Sequence, residues 1–230
     1  MTKGRYWGIV TAVALVAVLA YGYGSADRGA IGDVVAHSGS LVSEDGQIAF
    51  ARAISLDPFK ADIYTINVDG SGRSRLTDSP GLGGFPCWSP DGERIAFVSD
   101  RDGGNWEVYV MNADGSKQIR LTHTPVDEDF CSWSPNGERI AYTTGSFNTD
   151  NPSIWVMDAD GSAHWRLAEG SWPSWSPDGE RIVYASGHWK DPRISVMNAD
   201  GSEQRTFDIR GASEPAPGPP TGSASPTSAT

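Results

Sequence analysis

Short apolar runs recur along this chain, and within each run the side chains on both alternating sides are apolar. Clear cases are Ile95 to Val98 and Val108 to Met111. A strand with one face in water would alternate polar and apolar positions, so these runs belong to sheets covered on both faces. The pattern therefore predicts stacked β-sheets made of short strands.

These runs are parts of a unit that occurs four times. The segment WSPDGERIAF at Trp88 returns as WSPNGERIAY at Trp133 and as WSPDGERIVY at Trp175. A signature such as VYVMNADGS follows each copy and also occurs earlier, as IYTINVDGS at Ile63, while SRLT, IRLT, WRLA or RTF closes the units. A period of roughly 40 to 47 residues indicates a repeat architecture. The units span about residues 43–77, 88–122, 133–168 and 175–207.

Each unit carries two turn signals. Ser-Pro-Asp-Gly suits a type I turn, with Ser first, Pro second and Gly fourth. Asn-Ala-Asp-Gly-Ser suits a hairpin in which Gly takes a positive φ. The turns divide each unit into four strands, and small four-stranded sheets stacked around an axis form a β-propeller. The sequence thus predicts an all-β fold over residues 30–209, a β-propeller of four blades. Its register tryptophans are expected to form core between blades: Trp88, Trp133 and Trp175.

The first unit departs from the others, because it lacks the WSP segment and opens with SEDGQIAF at Ser43. Residues 34–43 are expected to supply its missing first strand. Four blades lie at the lower edge of the range in which propellers close. The alternative is an open arc whose end blades need a partner or a second copy. The sequence leaves the oligomeric state open.

The N-terminus has the features of an export segment. Lys3 and Arg5 precede an apolar, uncharged run from Trp7 to Ala20, and small residues at 24–26 suit cleavage by a signal peptidase. We expect residues 1–26 to be a signal peptide or, alternatively, an N-terminal membrane anchor. The chain is accordingly expected in the periplasm or outside the cell, with membrane contact only through that anchor.

Composition limits the function. The net charge of −11 argues against a nucleic-acid partner, because phosphate binding needs clustered Lys and Arg. Two Cys and four His leave little material for a metal site, and no G-x-S-x-G nucleophile motif occurs. We predict no catalytic residue, no metal and no cofactor. Residues 211–230 contain Pro, Gly, Ala, Ser, Thr and one Glu, and we expect them to be a disordered tail.

The pattern WSPDGERIAF…VYVMNADGS…RLT resembles the TolB-like, WD40-like β-propeller repeat, and the likeness covers about residues 43–207. That repeat is found in the periplasmic protein TolB and in the propeller domains of some peptidases, which carry a separate hydrolase domain. The resemblance implies an exported binding scaffold without catalysis. It also implies six blades and an additional N-terminal domain for TolB itself, whereas this chain has four units. It therefore supports the fold and not the role in envelope translocation.

Binding is expected where the units differ. The loops between second and third strands and the links between units vary, and up-down strand order places both at one end of the propeller. Varied loops on a rigid scaffold are where binding is usually built, and tryptophans there suit sugar stacking or anchoring of a protein. The alternative is a solvated acidic rim, with the tryptophans covering blade edges. The candidate binding face comprises Asp100, Asp102, Trp106, Asp127, Glu128, Asp129 and Trp189.

Two cysteines precede the tryptophans of adjacent units, Cys87 by one residue and Cys131 by two. With a period of two, they lie on opposite faces of consecutive blades, so they either face each other or both face away. An exported chain meets oxidising conditions, which favours a disulfide between them. The alternative is a pair of buried free thiols.

Taken together, the residues and the resemblance favour a module that binds a protein partner in the cell envelope or outside the cell. One alternative is an enzyme, carbohydrate-active or lyase-like, with its site at the mouth of the propeller channel. Another is a truncated propeller fragment.

Overall fold

The computed structural model describes residues 33–34, 42–43, 45–56, 59–145, 151–187 and 193–207. Regular structure in these ranges is entirely β, in four antiparallel sheets of four strands. The first sheet comprises β1 (Asp33–Val34), β2 (Gln47–Leu56), β3 (Phe59–Asn67) and β4 (Ser74–Arg75). The second comprises β5 (Gly83–Trp88), β6 (Arg94–Ser99), β7 (Glu107–Asn112) and β8 (Ile119–Arg120). The third comprises β9 (Glu128–Trp133), β10 (Arg139–Thr144), β11 (Ser153–Asp158) and β12 (His164–Glu169). The fourth comprises β13 (Ser171–Trp175), β14 (Arg181–Ser186), β15 (Arg193–Asn198) and β16 (Arg205–Phe207).

Strand order follows chain order in every sheet, as expected for propeller blades. Within the described ranges, no helical segment has the length and apolar character that a membrane span requires. The predicted signal peptide or anchor and the predicted tail lie outside the described residues.

The repeated turns form as their sequences require. In the second sheet, Gly92 takes a φ of +69° and its amide donates to the carbonyl of Ser89 at 3.0 Å. Ser89 Oγ also accepts the amide of Arg94 at 2.9 Å, which closes the turn from the other side. In the following hairpin, Gly115 takes a φ of +84° and Asp114 Oδ1 accepts the amide of Ser116 at 2.9 Å. These local bonds fix where each strand ends.

Each sheet has two apolar faces of different character. We call the face directed at the next unit the forward face; in the second sheet it carries Ala96, Val98, Val108 and Val110. We call the opposite one the rear face; there it carries Ile95, Phe97, Tyr109 and Met111. The forward face of each sheet packs on the rear face of the next, so small and β-branched residues meet larger ones at each of the three junctions. Burial on both faces explains why the strands do not alternate polar and apolar positions.

The register tryptophans lie at these junctions. Trp88 is 1% exposed and Trp133 is 6% exposed, and Trp133 Nε1 donates to the carbonyl of Cys87 in the preceding sheet at 3.2 Å. The prediction that they form core between blades is confirmed for these two. Trp175 in the fourth sheet is only half-buried.

The first sheet completes itself with residues that precede its repeat. β1 pairs with β2, and Val42 pairs with Ile48 in the position that Trp88 takes opposite Ile95 in the second sheet. Part of the predicted segment 34–43 therefore supplies the first strand, and a valine stands where the other units have tryptophan. The four described sheets form an open row and are not closed into a ring.

Candidate functional site at the loop end of the second and third sheets

Two carboxyl groups are buried side by side at the end of the second sheet where the variable loops lie. Glu107 begins β7 and is 2% exposed, whereas Glu128 begins β9 and is 0% exposed. Arg120 Nη2 donates to Glu107 Oε1 at 2.5 Å, and the amide of Thr124 donates to the same oxygen at 3.2 Å. The Thr122 hydroxyl donates to Glu128 Oε2 at 3.1 Å, and the Thr124 hydroxyl donates to Glu128 Oε1. The strand ends of two neighbouring sheets thus bring the two acids together.

The pair holds a proton. Burial, reinforced by the nearby Glu107, raises the pKa of Glu128 to about 8. Burial also acts to raise the pKa of Glu107, but hydrogen bonds with Glu128 and Thr122 and the charge of Arg120 lower it below its ordinary value. Glu107 Oε2 is buried, and no N–H or O–H group of the described residues donates a hydrogen bond to it. A protonated Glu128 supplies that donor, so the pair carries one negative charge, balanced by Arg120.

Hydrogen bonds join the two loops around this pair of acids. Asp127 Oδ1 accepts the amide of Trp106 at 2.9 Å, and the amide of Glu128 donates to the carbonyl of Trp106 at 2.8 Å. The side-chain amide of Asn105 donates to the carbonyl of Val126. One backbone–backbone bond and two bonds between side chain and backbone therefore fix the loop before β7 to the link before β9.

A column of aromatic rings runs from these loops along the first strands of successive sheets. The ring of Trp106 lies 5.8 Å from that of Phe85, which lies 4.5 Å from Phe130, which lies 5.6 Å from Trp172. Phe85, Phe130 and Trp172 have φ values of 50°, 51° and 58°, a region that costs an ordinary side chain about 1–3 kcal/mol. Each lies where the pairing of its strand shifts register, so three β-bulges aim the rings at one another.

Above the joined loops lies a small exposed patch, which we call the loop-end surface: Asp102, His123, Pro125 and Val126. The side chain of Asp102 is 55% exposed, although its carboxylate accepts the hydroxyl of Tyr109 at 2.7 Å and lies 3.6 Å from Arg120 Nη1. Val126 is 42% exposed. His123 and Pro125 are exposed as well. The surface offers an anion, an imidazole and apolar atoms, and Val126 lies on the segment that these bonds hold.

Several residues of the predicted binding face are not exposed in the structure. The expectation that the Asp127–Asp129 segment is an exposed, solvated loop is wrong for two of its residues, because Glu128 and Asp129 lie on β9 and are buried. Burial, and then the charge of Asp127, raises the pKa of Asp129 to about 7. Replacing this segment with serine is therefore expected to destabilise the fold.

The other predicted residues of that face differ in their exposure. Asp100 is half-buried, and its carboxylate accepts the amide of Leu82 at 2.6 Å. Trp106 is half-buried in the aromatic column, which agrees with the alternative that it covers a blade edge. Asp102 stays accessible. Trp189 lies outside the described residues.

The two cysteines face each other across the junction of the second and third sheets. Their sulfur atoms are 2.7 Å apart, both side chains are fully buried, and no disulfide joins them in the structure. Burial, followed by the contact with Cys131, raises the pKa of Cys87 well above its ordinary value. Of the two geometries open to the sequence, the structure has the one in which a bridge can form; the disulfide itself stays a prediction.

Sequence reasoning missed Glu107, Arg120 and Thr122, although a signal was present. An acid stands directly before the third apolar strand in the first two units, and Arg-Leu-Thr closes both. Thr77 and Thr122 each accept a third-strand amide through the hydroxyl, at 2.9 and 2.8 Å. In the fourth strand the arginine lies opposite the residue two positions after the acid, and its side chain reaches back to the carboxylate. The corresponding residues along the four sheets are Asp62 with Arg75, Glu107 with Arg120, Ser153 with Arg166, and Arg193 with Thr206.

Other sites in the described residues are few. No group of three His, Cys, Asp or Glu side chains there is placed to hold a metal ion. At the opposite end, where the repeated turns lie, an open cleft of about 510 Å³ separates the third and fourth sheets, with Arg139, Trp175 and Asp178 in its lining. At the preceding junction Arg94 covers the ring of Trp133 at 4.7 Å, whereas Arg139 lies over Trp165 at 5.0 Å and leaves this cleft open.

Four-stranded sheets in chain order, packed forward face on rear face, define a β-propeller repeat protein. The family model of the TolB beta propeller domain matches residues 35–221, and the chain belongs to that family. The predicted resemblance and fold class are thereby confirmed.

Solved structures agree with this assignment. The structure of a putative TolB from Agrobacterium tumefaciens matches with a TM-score of 0.62 at 26% identity, over 72% of this chain and 62% of that one. TolB from Acinetobacter baumannii matches with a TM-score of 0.61 at 25% identity, over 71% of this chain and 41% of that one. Dipeptidyl-peptidase 5 from Porphyromonas gingivalis is 39% identical over 67 residues, which are 27% of this chain and 10% of that protein. The chain therefore spans less than two thirds of each of these relatives.

Proposed function

We propose that this protein is a non-catalytic propeller that binds another protein through the loop-end surface, in the cell envelope or outside the cell. The observation that carries the proposal is the joined pair of loops beneath that surface. Side chains on a backbone already fixed by the bonds of Asp127, Glu128 and Asn105 lose little conformational entropy on binding. The anion and the apolar surface of the patch suit a partner that presents a basic side chain beside an apolar one.

A channel-mouth enzyme is the second candidate, because Glu107 and Glu128 have pKa values driven apart, as in acid–base pairs. Burial weighs against it. Neither carboxyl group is more than 2% exposed, and Thr122 and Thr124 occupy the lone pairs that a substrate would need. The pair is better explained as part of the support beneath the loop-end surface.

The proposed location outside the cytoplasm rests on the charged start and apolar run of residues 1–26 and on the likeness to TolB. Sequencing the N-terminus of the protein isolated from envelope and culture fluid tests it. A new N-terminus near Asp27, or an intact chain held in the membrane fraction, agrees with export. An intact Met1 in the soluble cytosolic fraction contradicts it.

Binding is tested by affinity co-purification from the native envelope with a Val126→Glu variant. We expect this variant to lose the retained partner while its circular dichroism and melting temperature stay unchanged, since Val126 is already exposed. Val68→Glu is the matched control, because Val68 is 65% exposed in a hairpin at the opposite end. Equal loss of the partner in both variants, or retention in both, contradicts the assigned surface.

A further inference from the structure

The forward face of the fourth sheet is apolar and exposed. Val183, Ile194 and Phe207 are 39%, 42% and 52% exposed. The matching positions of the second sheet are Ala96, Val108 and Leu121, and they are 0%, 0% and 6% exposed beneath the third sheet. In the third sheet Ala141, Ile154 and Ala168 are 0%, 0% and 4% exposed beneath the fourth. The fourth sheet thus keeps the side chains of a covered face without a cover among the described residues.

The rear face of the first sheet has the complementary character. It carries Ile48, Phe50, Tyr64 and Ile66, at the positions of Ile95, Phe97, Tyr109 and Met111 in the second sheet. Ile48, Tyr64 and Ile66 are half-buried, whereas the three matching residues of the second sheet are at most 3% exposed. Phe50 is 5% exposed, and its ring stacks with that of Tyr64 at 5.8 Å.

We propose that the forward face of the fourth sheet binds the rear face of the first sheet of a second copy of this chain. Every internal junction pairs a small, β-branched forward face with a larger rear face, and one chain presents one of each at its two ends. A second copy therefore repeats a junction that this sequence already forms three times. The loop-end surface takes no part in it, so the pairing does not depend on the proposed function.

Two such junctions close the assembly. If each copy gives its fourth sheet to the first sheet of the other, a two-fold axis relates the copies and all four end faces are covered. The resulting ring has eight sheets, which is within the four to eight blades usual for propellers. A pair of copies held by only one junction would leave one forward face and one rear face free, and further copies could add without end.

Light scattering of the full chain after size exclusion, at micromolar concentration, tests the pairing. We expect a mass twice that of the 24.6 kDa chain. Ile194→Glu is expected to halve the mass, because a carboxylate would be desolvated in the junction. The monomer should tolerate this substitution, since Ile194 is exposed. The same face already carries a charge, because the exposed Arg205 lies opposite Val196, two residues after Ile194. Ile48→Glu, on the other face, is expected to halve the mass as well.

Ile119→Glu is the matched control, because Ile119 is 55% exposed on β8 of an internal sheet. It should stay dimeric. Circular dichroism of all three variants reports whether they remain folded, and Val183→Lys replaces Ile194→Glu if the latter unfolds. A monomeric parent chain, open-ended polymers, or a dimer that survives both Ile194→Glu and Ile48→Glu, as association through residues 1–26 would, overturns the proposal.

Discussion

The proton on Glu128 links the stability of this protein to pH. A glutamate in an unfolded chain loses its proton near pH 4.3, whereas Glu128 holds its proton in the folded chain up to about pH 8. Between these values the folded chain binds more protons than the unfolded one, so stability falls as pH rises. Asp129, with its pKa raised to about 7, acts in the same direction. We expect the melting temperature, measured by calorimetry in matched ionic strength, to fall between pH 5 and pH 8.

Glu128→Gln separates this proton from other causes. The amide keeps a donor for Glu107 Oε2 without titrating, so the variant should match the parent near pH 5, exceed its stability near pH 8 and show a shallower pH dependence. Asp129→Asn should remove much of the remaining slope, because Asp129 titrates on its own. A parent melting temperature that rises from pH 5 to pH 8, or a slope unchanged by Glu128→Gln, would show that Glu128 is ionised in the fold.

The facing thiols predict a disulfide in protein exported to an oxidising compartment. Oxidation by a disulfide donor would join Cys87 Sγ to Cys131 Sγ, while the donor takes the two electrons and both protons. A bridge that closes a loop of this length adds on the order of 4 kcal/mol to stability. Titration of the denatured, unreduced protein should find no free thiol, and reduction should lower the unfolding midpoint. Two titratable thiols per chain in protein taken from the envelope would refute the bridge.

At the scale of the elements, sequence predicts what is local. Gly92 and Gly115 mark turns whose hydrogen bonds lie within five residues, and the strands between such turns were predicted correctly for that reason. The start of β9 was not. The segment that holds Glu128 contains consecutive acids and is typical of a solvated loop, but Asp129 pairs with Thr143 and is 3% exposed. This burial depends on residues that are distant in the sequence, so no local sequence pattern predicts it.

The acid–arginine pairs between third and fourth strands predict a contrast between two sheets. Glu107 is buried, so Arg120→Gln leaves a buried charge without its cation and should cost about 3 kcal/mol. Arg166 contacts Ser153 and the exposed Glu169, so Arg166→Gln should cost less than about 1 kcal/mol. Urea unfolding of both variants measures the difference. Equal costs would mean that burial of the acid does not decide the strength of these pairs.

At the scale of the whole molecule, the repeat predicts the architecture better than it predicts the site. The period, the turns and the strands with two apolar faces are enough to predict a four-sheet propeller, because each unit packs against its neighbours through the same two faces. The site depends on departures from the repeat. An acid placed before β7, an acid at the start of β9 and the column from Trp106 to Trp172 matter through contacts between units, and the sequence shows them only as exceptions to a pattern.

Because each sheet packs mainly on its immediate neighbours, the junctions by themselves do not fix how many units one gene encodes. Any unit presents the same forward and rear faces, so recombination between two copies can lengthen or shorten the chain without creating a new kind of junction. A chain in which residues 88–132 are duplicated in tandem should therefore fold, with more β-sheet by circular dichroism and a steeper denaturant dependence of unfolding. An insoluble or unfolded product would show that the length of this propeller is fixed by something other than its junctions.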